Sequence, residues 1–274
     1  MENQDFIRGK EIVFLDDPCN PDHRPHHIYH CNIMPDKISC LAKENSHGEG
    51  EKLRFFHFSM LHCILPAFYG IYAGKKDEYM IIEDMDSGFK SPCGCDIKMG
   101  TRQWDCQASD EFRIKLIRKN EESLSGVLGF RLVSMTIQEN QKKIVETSKS
   151  QNCYLTNEQF KDCMRDFIPA SMLMSVIRQV KNIKNVYQQY QTLNKGFRVY
   201  SGSLFISYDG DDFSKDPKVA MIDFAHAHFN IDEEGGDTKD PSFDDGVVFG
   251  FENLLKILYS FIPDPNENDF FTYY

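Results

Sequence analysis

Between Pro92 and Gly100 the chain reads PCGCDIKMG, which spaces a proline, an acid, a base and a glycine at positions 92, 96, 98 and 100. Pro92 has a fixed φ and no amide donor, which suits the entrance of a strand after a turn. Side chains alternate along a strand, so Asp96 and Lys98 would project side by side from one face, and Gly100 would leave room for a ligand or another backbone. A carboxylate held beside an ammonium suits phosphate and metal chemistry. On an exposed strand the same pair would be a surface ion pair worth about 0–1 kcal/mol. Further along, Met221-Ile222-Asp223-Phe224 puts a carboxylate at the end of an apolar run. There it could ligate a divalent cation or cap the following turn. Ser203, upstream in Ser201-Gly202-Ser203-Leu204-Phe205, supplies a hydroxyl that without Asp223 would read as an ordinary strand residue.

Other reactive residues form weaker patterns. His23, His26, His27, His30 and Cys31 crowd the N-terminal region, and Cys93, Cys95 and Cys106 surround Asp96. No CxxC pair has a matching partner pair, so the spacing does not make a zinc site. His226 and His228 alternate after Asp223; a structural role suits them better than a place in a cleft. No GxxxxGK[ST] run is present, which excludes a P-loop nucleotide site.

The elements that must position these residues are legible in outline. Residues 1–26 are polar, rich in Pro, Asp and His, and read as a loose arm. Leu53, Phe56, Met60 and Leu61 fit one helix face, and Tyr79-Met-Ile-Ile82 is a buried strand running into the acidic Glu83-Asp-Met-Asp86. Residues 105–118 look helical and 128–135 strand-like. The clearest helix covers 157–194, started by a Thr156/Gln159 capping box and broken by Pro169 into two. Gly196 is a plausible C-terminal cap. Strand-like runs at 197–208 and 219–224 follow, then an acidic loop and a helix near 247–261 stopped by Pro263. A β-rich first third before a more helical remainder predicts an α+β fold of two lobes, 27–86 and 87–274, with a cleft between.

Bulk properties narrow the class. With 274 residues, 41% apolar and 27% charged, the chain has the composition of a globular protein with a sizeable core. There is no apolar run of membrane-spanning length and no signal-peptide pattern at the N-terminus. Nine cysteines without framework spacing suggest reduced thiols and a cytoplasmic or nuclear location. A net charge of −11 argues against a nucleic-acid partner. Between Asp209 and Asp245 twelve acids stand against Lys215, Lys218 and Lys239, while bases gather at Lys98 and Arg102, at 113–119 and at 178–198. One face can therefore be cationic on an acidic molecule.

The Pro92–Gly100 run resembles the PxxxDxKxG signature of the inositol polyphosphate kinase family, and the Thr101-Arg102-Gln103 that follows is most similar to its hexakisphosphate kinase branch. Other segments resemble family elements in order: Glu83-Asp84-Met85 the hinge, Leu128-Gly-Phe-Arg131 a strand, Phe197 to Phe205 the FRxxSSLL segment, Met221 to Phe224 the IDF element, and Asp244 to Leu254 the start of a late helix. Gly202 departs from the first serine of SSLL. The resemblance implies a two-lobed kinase-like fold, reduced here toward a catalytic core, using ATP and Mg²⁺ on an inositol polyphosphate, without membrane or nucleic acid and as a monomer. It implies backbone contacts from Glu83 and Met85 to adenine, Asp96 at the ribose or the reacting group, and Lys98 on the transferred or substrate phosphates. It further implies Arg102 on the substrate and Asp223 with Ser203 on the metal. Lys43, in a stretch that departs from the family's lysine strand, would be the first-lobe phosphate lysine, oriented by Glu51. The expected activity is transfer to inositol hexakisphosphate, giving a diphosphoinositol phosphate. The rivals are a multikinase acting on hydroxyls of tris- or tetrakisphosphates, and a non-catalytic inositol phosphate-binding module.

Overall fold

The computed structural model describes residues 10–15, 28–34, 37–45, 49–73, 77–236 and 243–263. His23, His26 and His27 lie outside the described residues.

Two antiparallel five-stranded sheets face each other across a cleft. The first contains β1 (Glu11–Phe14), β2 (Ile28–Met34), β3 (Ile38–Glu44), β4 (Phe68–Ala73) and β5 (Glu78–Glu83), in the order β1-β2-β3-β5-β4. Helix α1 (Glu49–His57) and a 3₁₀ turn at Met60–Ile64 run between β3 and β4. The single helix expected across 53–61 is therefore interrupted, with Ser59 Oγ accepting from Leu61 N at 3.1 Å to cap the second piece. Glu11–Phe14, expected within a loose arm, instead adds an edge strand on β2.

The second sheet is ordered β11-β10-β6-β7-β8. Its members are β6 (Pro92–Met99), β7 (Phe130–Glu139), β8 (Lys142–Thr147), β10 (Ser203–Asp209) and β11 (Lys218–Ile222); a small ribbon pairs β9 (Arg198–Val199) with β12 (Ala227–His228). Helices α2 (Asp110–Glu121), α3 (Leu124–Leu128), α4 (Lys149–Asn152), α5 (Asn157–Phe167), α6 (Leu173–Leu193) and α7 (Val247–Tyr259) complete the α+β architecture. Thr156 Oγ1 accepts from Gln159 N and Gln159 Oε1 accepts from Thr156 N, the reciprocal box its spacing predicts. The chain breaks between α5 and α6 around Pro169, and Val176, Val180, Ile183, Tyr187 and Tyr190 bury one stripe of α6. Gly196 is not the cap; Asn194 ends the helix, and a Cβ on Gly196 would meet Asn230 Cα at 2.7 Å.

Strand β6 alternates strictly. Cys93, Cys95, Ile97 and Met99 point into the core, which turns Gly94, Asp96 and Lys98 toward the cleft. The main core crosses the lobe boundary, joining Phe56 and Met80 of the first lobe to Phe197, Phe224 and Leu204 of the second. Phe56 packs against Phe224 and Phe197 at ring separations of 5.3 and 5.7 Å. This aromatic contact docks α1 against the chain just after Asp223. The eight described cysteines are free, and no described helix is long and apolar enough to cross a membrane.

Candidate active site

A cavity of about 220 Å³ lies between the lobes. Leu41 and Lys43 of β3, with Met80 and Ile82 of β5, form its roof; Glu83 to Asp86 close one end; Phe205 of β10 and Met221 to Phe224 form the floor. The hinge residues expected to meet a nucleotide, Glu83 and Met85, thus line the same space as Lys43 and Asp223. Glu83 is anchored to the segment before β4, donating its N–H to Ala67 O (2.8 Å) while its carboxylate accepts from Ala67 N and Lys218 Nζ (3.3 Å each).

Asp223 is the junction. Strand β11 stops at Ile222, and Asp223 adopts the left-handed conformation (φ 65°), a cost on the order of 1–3 kcal/mol that surrounding contacts must hold in place. Its Oδ1 accepts from Lys43 Nζ at 2.9 Å and its Oδ2 from Lys98 Nζ at 3.2 Å. Burial opposes ionisation of this carboxyl, but Lys98 and Lys43 outweigh it and hold the group well below the usual carboxylate range. Lys43 is likewise penalised by burial and held charged by Asp223 and Glu49. Lys98 also donates to Ser201 O at 2.7 Å, so its ammonium is aimed across β10 at the turn preceding Ser203.

Glu49, not Glu51, orients Lys43. The Glu49 carboxylate reaches Lys43 Nζ at 3.0 Å and accepts from Phe224 N at 2.8 Å, with only 1% of the residue exposed. It ties the first lobe to the strained turn. Glu51, two positions on, faces outward and meets Asn45 instead.

Two polar atoms beside this junction, Ser203 Oγ and Asp96 Oδ1, are shielded from solvent with no partner at good hydrogen-bond geometry, although the Ser203 hydroxyl lies near enough to the Asp96 carboxyl to favour its ionised form. Orphaned buried polar atoms are rare, and at a site they mark groups waiting for a ligand. Burial pushes the Asp96 carboxyl up, opposed by Lys98 and reinforced by the charge of Asp223. Asp96 sits opposite Phe205 across β6–β10 and is not among the residues lining the nucleotide-side cavity. It stands on the cleft face of β6 two positions before Lys98, level with the Phe205 that floors the cavity. The donors there fit a divalent cation: the Asp223 carboxylate and the Ser203 hydroxyl are oxygens, and such ions complete their shells with phosphate and water. No group of three or more His, Cys, Asp or Glu among the described residues stands together to hold a metal.

Arg102 is not brought to this group. Its guanidinium lies over the rings of Phe243 (4.5 Å), Tyr200 (5.1 Å) and Trp104 (5.4 Å), and its Nε donates to Trp104 O at 2.8 Å. Its neighbours in the same tripeptide are also scaffold. Gln103 Nε2 donates to Met99 O and Gly100 O at 3.0 Å each, and Gly100 itself passes within contact of Asp245 O rather than opening space for a ligand.

A second hollow of about 560 Å³ opens on the far side of the junction, lined by Lys52, Gln103, Trp104, Asp105, His226, His228 and Glu234 among others. Asp105 Oδ2 accepts from His226 Nδ1 at 2.9 Å and approaches His228 Nε2 at 3.4 Å; His228 Nδ1 meets Glu234. These hydrogen bonds hold the Asp105 carboxyl far below its ordinary range, and Asp105 and Glu234 hold His228 above its own despite burial. Asp105 and Glu234 are thus engaged by the two histidines, and Lys52, whose Nζ donates to Ala225 O at 2.6 Å, stands on the same wall. Nothing in the spacing of Asp105 announced this pairing; alternation of His226 and His228 was the one visible sign.

The model of the inositol polyphosphate kinase family matches residues 79–259, from β5 to the end of α7. The chain is 31% identical over 206 residues to inositol hexakisphosphate kinase 3 of Mus musculus, covering 67% of this chain and 51% of that protein. It is 27% identical over 270 residues to inositol hexakisphosphate kinase 1 of the same species, covering 80% and 60%. The chain therefore spans about half the length of the first of these relatives. Its fold is similar to that of the inositol phosphate multikinase Ipk2 of S. cerevisiae, solved with ADP and Mn²⁺ (TM-score 0.63, 22% identity, 82% of this chain and 99% of that one). Because the family match runs through the hinge, the Asp96–Lys98 strand, Ser203 and Asp223 in one stretch, the chain belongs to the inositol polyphosphate kinase family.

Proposed function

We propose that the protein is an ATP- and Mg²⁺-dependent inositol hexakisphosphate kinase. The observation that carries the reading is Asp223 gripped by Lys43 and Lys98 at the mouth of a hinge-lined cavity, with the hydroxyl of Ser203 unpartnered beside it. Phosphoryl transfer asks a protein for positioning and for charge neutralisation more than for covalent chemistry. Asp223 and Ser203 would hold the cation, which when bound neutralises charge on the nucleotide phosphates. Lys43 and Lys98, now satisfied by the Asp223 carboxylate, would turn their ammonium groups to phosphate oxygens. Lys98, whose ammonium also reaches Ser201 O, would meet the transferred group. Asp96, beside it, would align Lys98 and the acceptor.

The acceptor is placed in the hollow lined by Lys52 and His226, opposite the nucleotide cavity. A hexakisphosphate offers a phosphate oxygen already ionised at neutral pH, so no strong general base is required. Similarity to hexakisphosphate kinases 1 and 3 supports this acceptor. A second reading, transfer to hydroxyls of lower inositol phosphates, draws support from the likeness in fold to a multikinase.

Incubation with ATP, Mg²⁺ and each inositol phosphate, with products resolved by charge, tests both. Conversion of hexakisphosphate to a more anionic product is expected, and loss of that conversion in Asp223→Asn. Turnover of tris- or tetrakisphosphate alone would sink the first reading in favour of the second.

A further inference from the structure

On the face of the first sheet turned away from the cleft, two thiols stand directly opposite each other. Cys31 of β2 and Cys40 of β3 are register partners, and their sulfurs lie 3.1 Å apart. Neither residue is exposed, and Ile12, Ile33, Ala42 and Ile81 enclose the pair in a small core separate from the main one. Direct partners in an antiparallel ladder have Cα atoms about 4.5–5.5 Å apart, within the span of roughly 4.4–6.8 Å that a disulfide bridges. The pair therefore meets the backbone requirement for a bond without any change of register. The hydrogen bond between the sulfurs eases loss of the first proton, at Cys40, and opposes loss of the second, at Cys31, where burial adds to the opposition. A thiol eased toward its thiolate with a second thiol in contact is the arrangement of a redox pair.

The neighbours of these cysteines face the other way. Ser39, one position before Cys40, donates to Asp84 Oδ2 at 3.2 Å, and His30, one position before Cys31, reaches the same oxygen at 3.5 Å. Cys40 is also the register partner of Glu83, the last residue of β5. Each thiol is thus one residue from a contact that holds the hinge. We propose that Cys31 and Cys40 form a reversible disulfide in the presence of hydrogen peroxide, and that closing it shifts His30 and Ser39, loosens their hold on Asp84 and weakens nucleotide binding. The effect on binding rests on the nucleotide reading of the cavity; the bond itself does not. In the first step the Cys40 thiolate attacks one peroxide oxygen, the O–O bond breaks, and the departing hydroxide takes up the proton Cys40 had released. The Cys31 sulfur then attacks the sulfenic sulfur of Cys40. An S–S bond forms, the S–O bond breaks, and the proton of Cys31 leaves with that oxygen as a second water. Two thiols give up two electrons and two protons, and one peroxide becomes two waters. Access comes from local opening of the sheet edge, where β1 pairs with β2 over only four residues.

The test exposes wild type, Cys31→Ala and Cys40→Ala to hydrogen peroxide and maps the bonds by mass spectrometry of unreduced digests. Calorimetric titration with ADP is run before oxidation, after it, and after reduction with a dithiol. Wild type should yield a peptide pair joined at Cys31 and Cys40 and lighter by two hydrogen atoms. Its ADP affinity should fall about fivefold and return on reduction, while neither variant shifts by more than about twofold. If a variant fails to fold, the wild-type map and its reversal by dithiol still decide. A link from either cysteine to a different partner, no link at all, or a link that leaves ADP affinity unchanged would overturn the proposal. So would an equal loss of affinity in the oxidised variants, which would put the sensitive thiol elsewhere. Reduced wild type that binds no ADP would instead sink the nucleotide reading, and with it the coupling to the hinge, while the peptide map decides the bond on its own.

Discussion

At Asp223 folding and function make opposite demands on a single residue. The carboxylate sits in a left-handed turn and is held ionised by two lysines, the same groups that under the proposed function it gives up to the nucleotide phosphates. Ser203 and Asp96 show the complementary case, polar atoms that the fold leaves unsatisfied. Removing an unsatisfied buried group relieves a desolvation cost of about 1–3 kcal/mol. Ser203→Ala and Asp96→Asn are therefore expected to melt no lower than wild type. The first should raise the Mg²⁺ concentration for half-maximal activity about tenfold, and the second should lower turnover by a similar factor or more. Melting curves and Mg²⁺ titrations of activity check this, and a variant that loses stability with unchanged Mg²⁺ dependence contradicts the role of Ser203. The directions of Lys98 and Ser203 were readable in the sequence because each sits in a strand whose alternation fixes them. Asp223 was marked only by its place at the end of an apolar run and is aimed by a left-handed turn. Glu49 was not, because Glu49 and Glu51 both lie in the first turn of α1, and docking of Phe56 on Phe224 decides which one faces Lys43. Arg102 was misread for the same kind of reason: Tyr200 and Phe243, the rings that capture its guanidinium, arrive from roughly 100 and 140 positions away.

The end of β6 is held by a different device from its middle. Asp245, fully buried at the start of α7, accepts at Oδ2 from Tyr187 Oη (2.6 Å), Gln191 Nε2 (3.0 Å) and Val199 N (3.0 Å), and at Oδ1 from Val247 N (3.0 Å). Its carbonyl accepts from Thr101 N, and a Cβ on Gly100 would come within 2.4 Å of that oxygen. Four elements thus meet on one acid: β6, α6, β9 and α7. Asp245→Asn removes a buried charge yet is expected to destabilise by about 1–3 kcal/mol, because the amide must present a donor to groups that are all donating. Denaturant unfolding of the variant measures this, and a neutral or stabilising result would show that the hub is not held by its acceptors. Local signals such as the Thr156 box and Pro169 were legible because they act within one turn of chain. The β7–β8 hairpin was not, since its turn uses Asn140 and Gln141 at φ 50° and 60° in place of the Asn-Gly pair that announces such turns. β1 escaped notice because a four-residue edge strand exists only by pairing with β2.

The whole molecule carries −11 and is proposed to seize a polyanion, which requires its acids to be spent locally. Many are. Asp209 is enclosed by Lys215 and by backbone donors of residues 90, 91 and 211, Asp105 by two histidines, and Asp110, Glu146, Glu158 and Asp162 each pair with a base three positions away. In contrast, Lys115, Arg118, Lys119 and Lys149 outnumber Glu111 and Glu122 along one open groove of about 960 Å³ between α2 and α4, and these four bases form no ion pair with a carboxylate among the described residues. Burial holds Lys119 below its ordinary range, and Arg131 and Lys149 push it further down by like-charge repulsion. Such a cluster weakens the folded state and strengthens the field met by an approaching anion within the roughly 8 Å reach of charges at physiological salt. Replacing Lys115, Arg118 and Lys119 together by Gln should leave the melting temperature unchanged or higher. The same change should lower kcat/KM for hexakisphosphate several-fold at low salt and flatten its decline as salt rises. KM for ATP, proposed to bind on the other side of the Asp223 junction, should move little. Steady-state kinetics at graded ionic strength decide the matter, for a salt slope identical to that of wild type would mean that this cationic face plays no part in drawing the acceptor to the cleft.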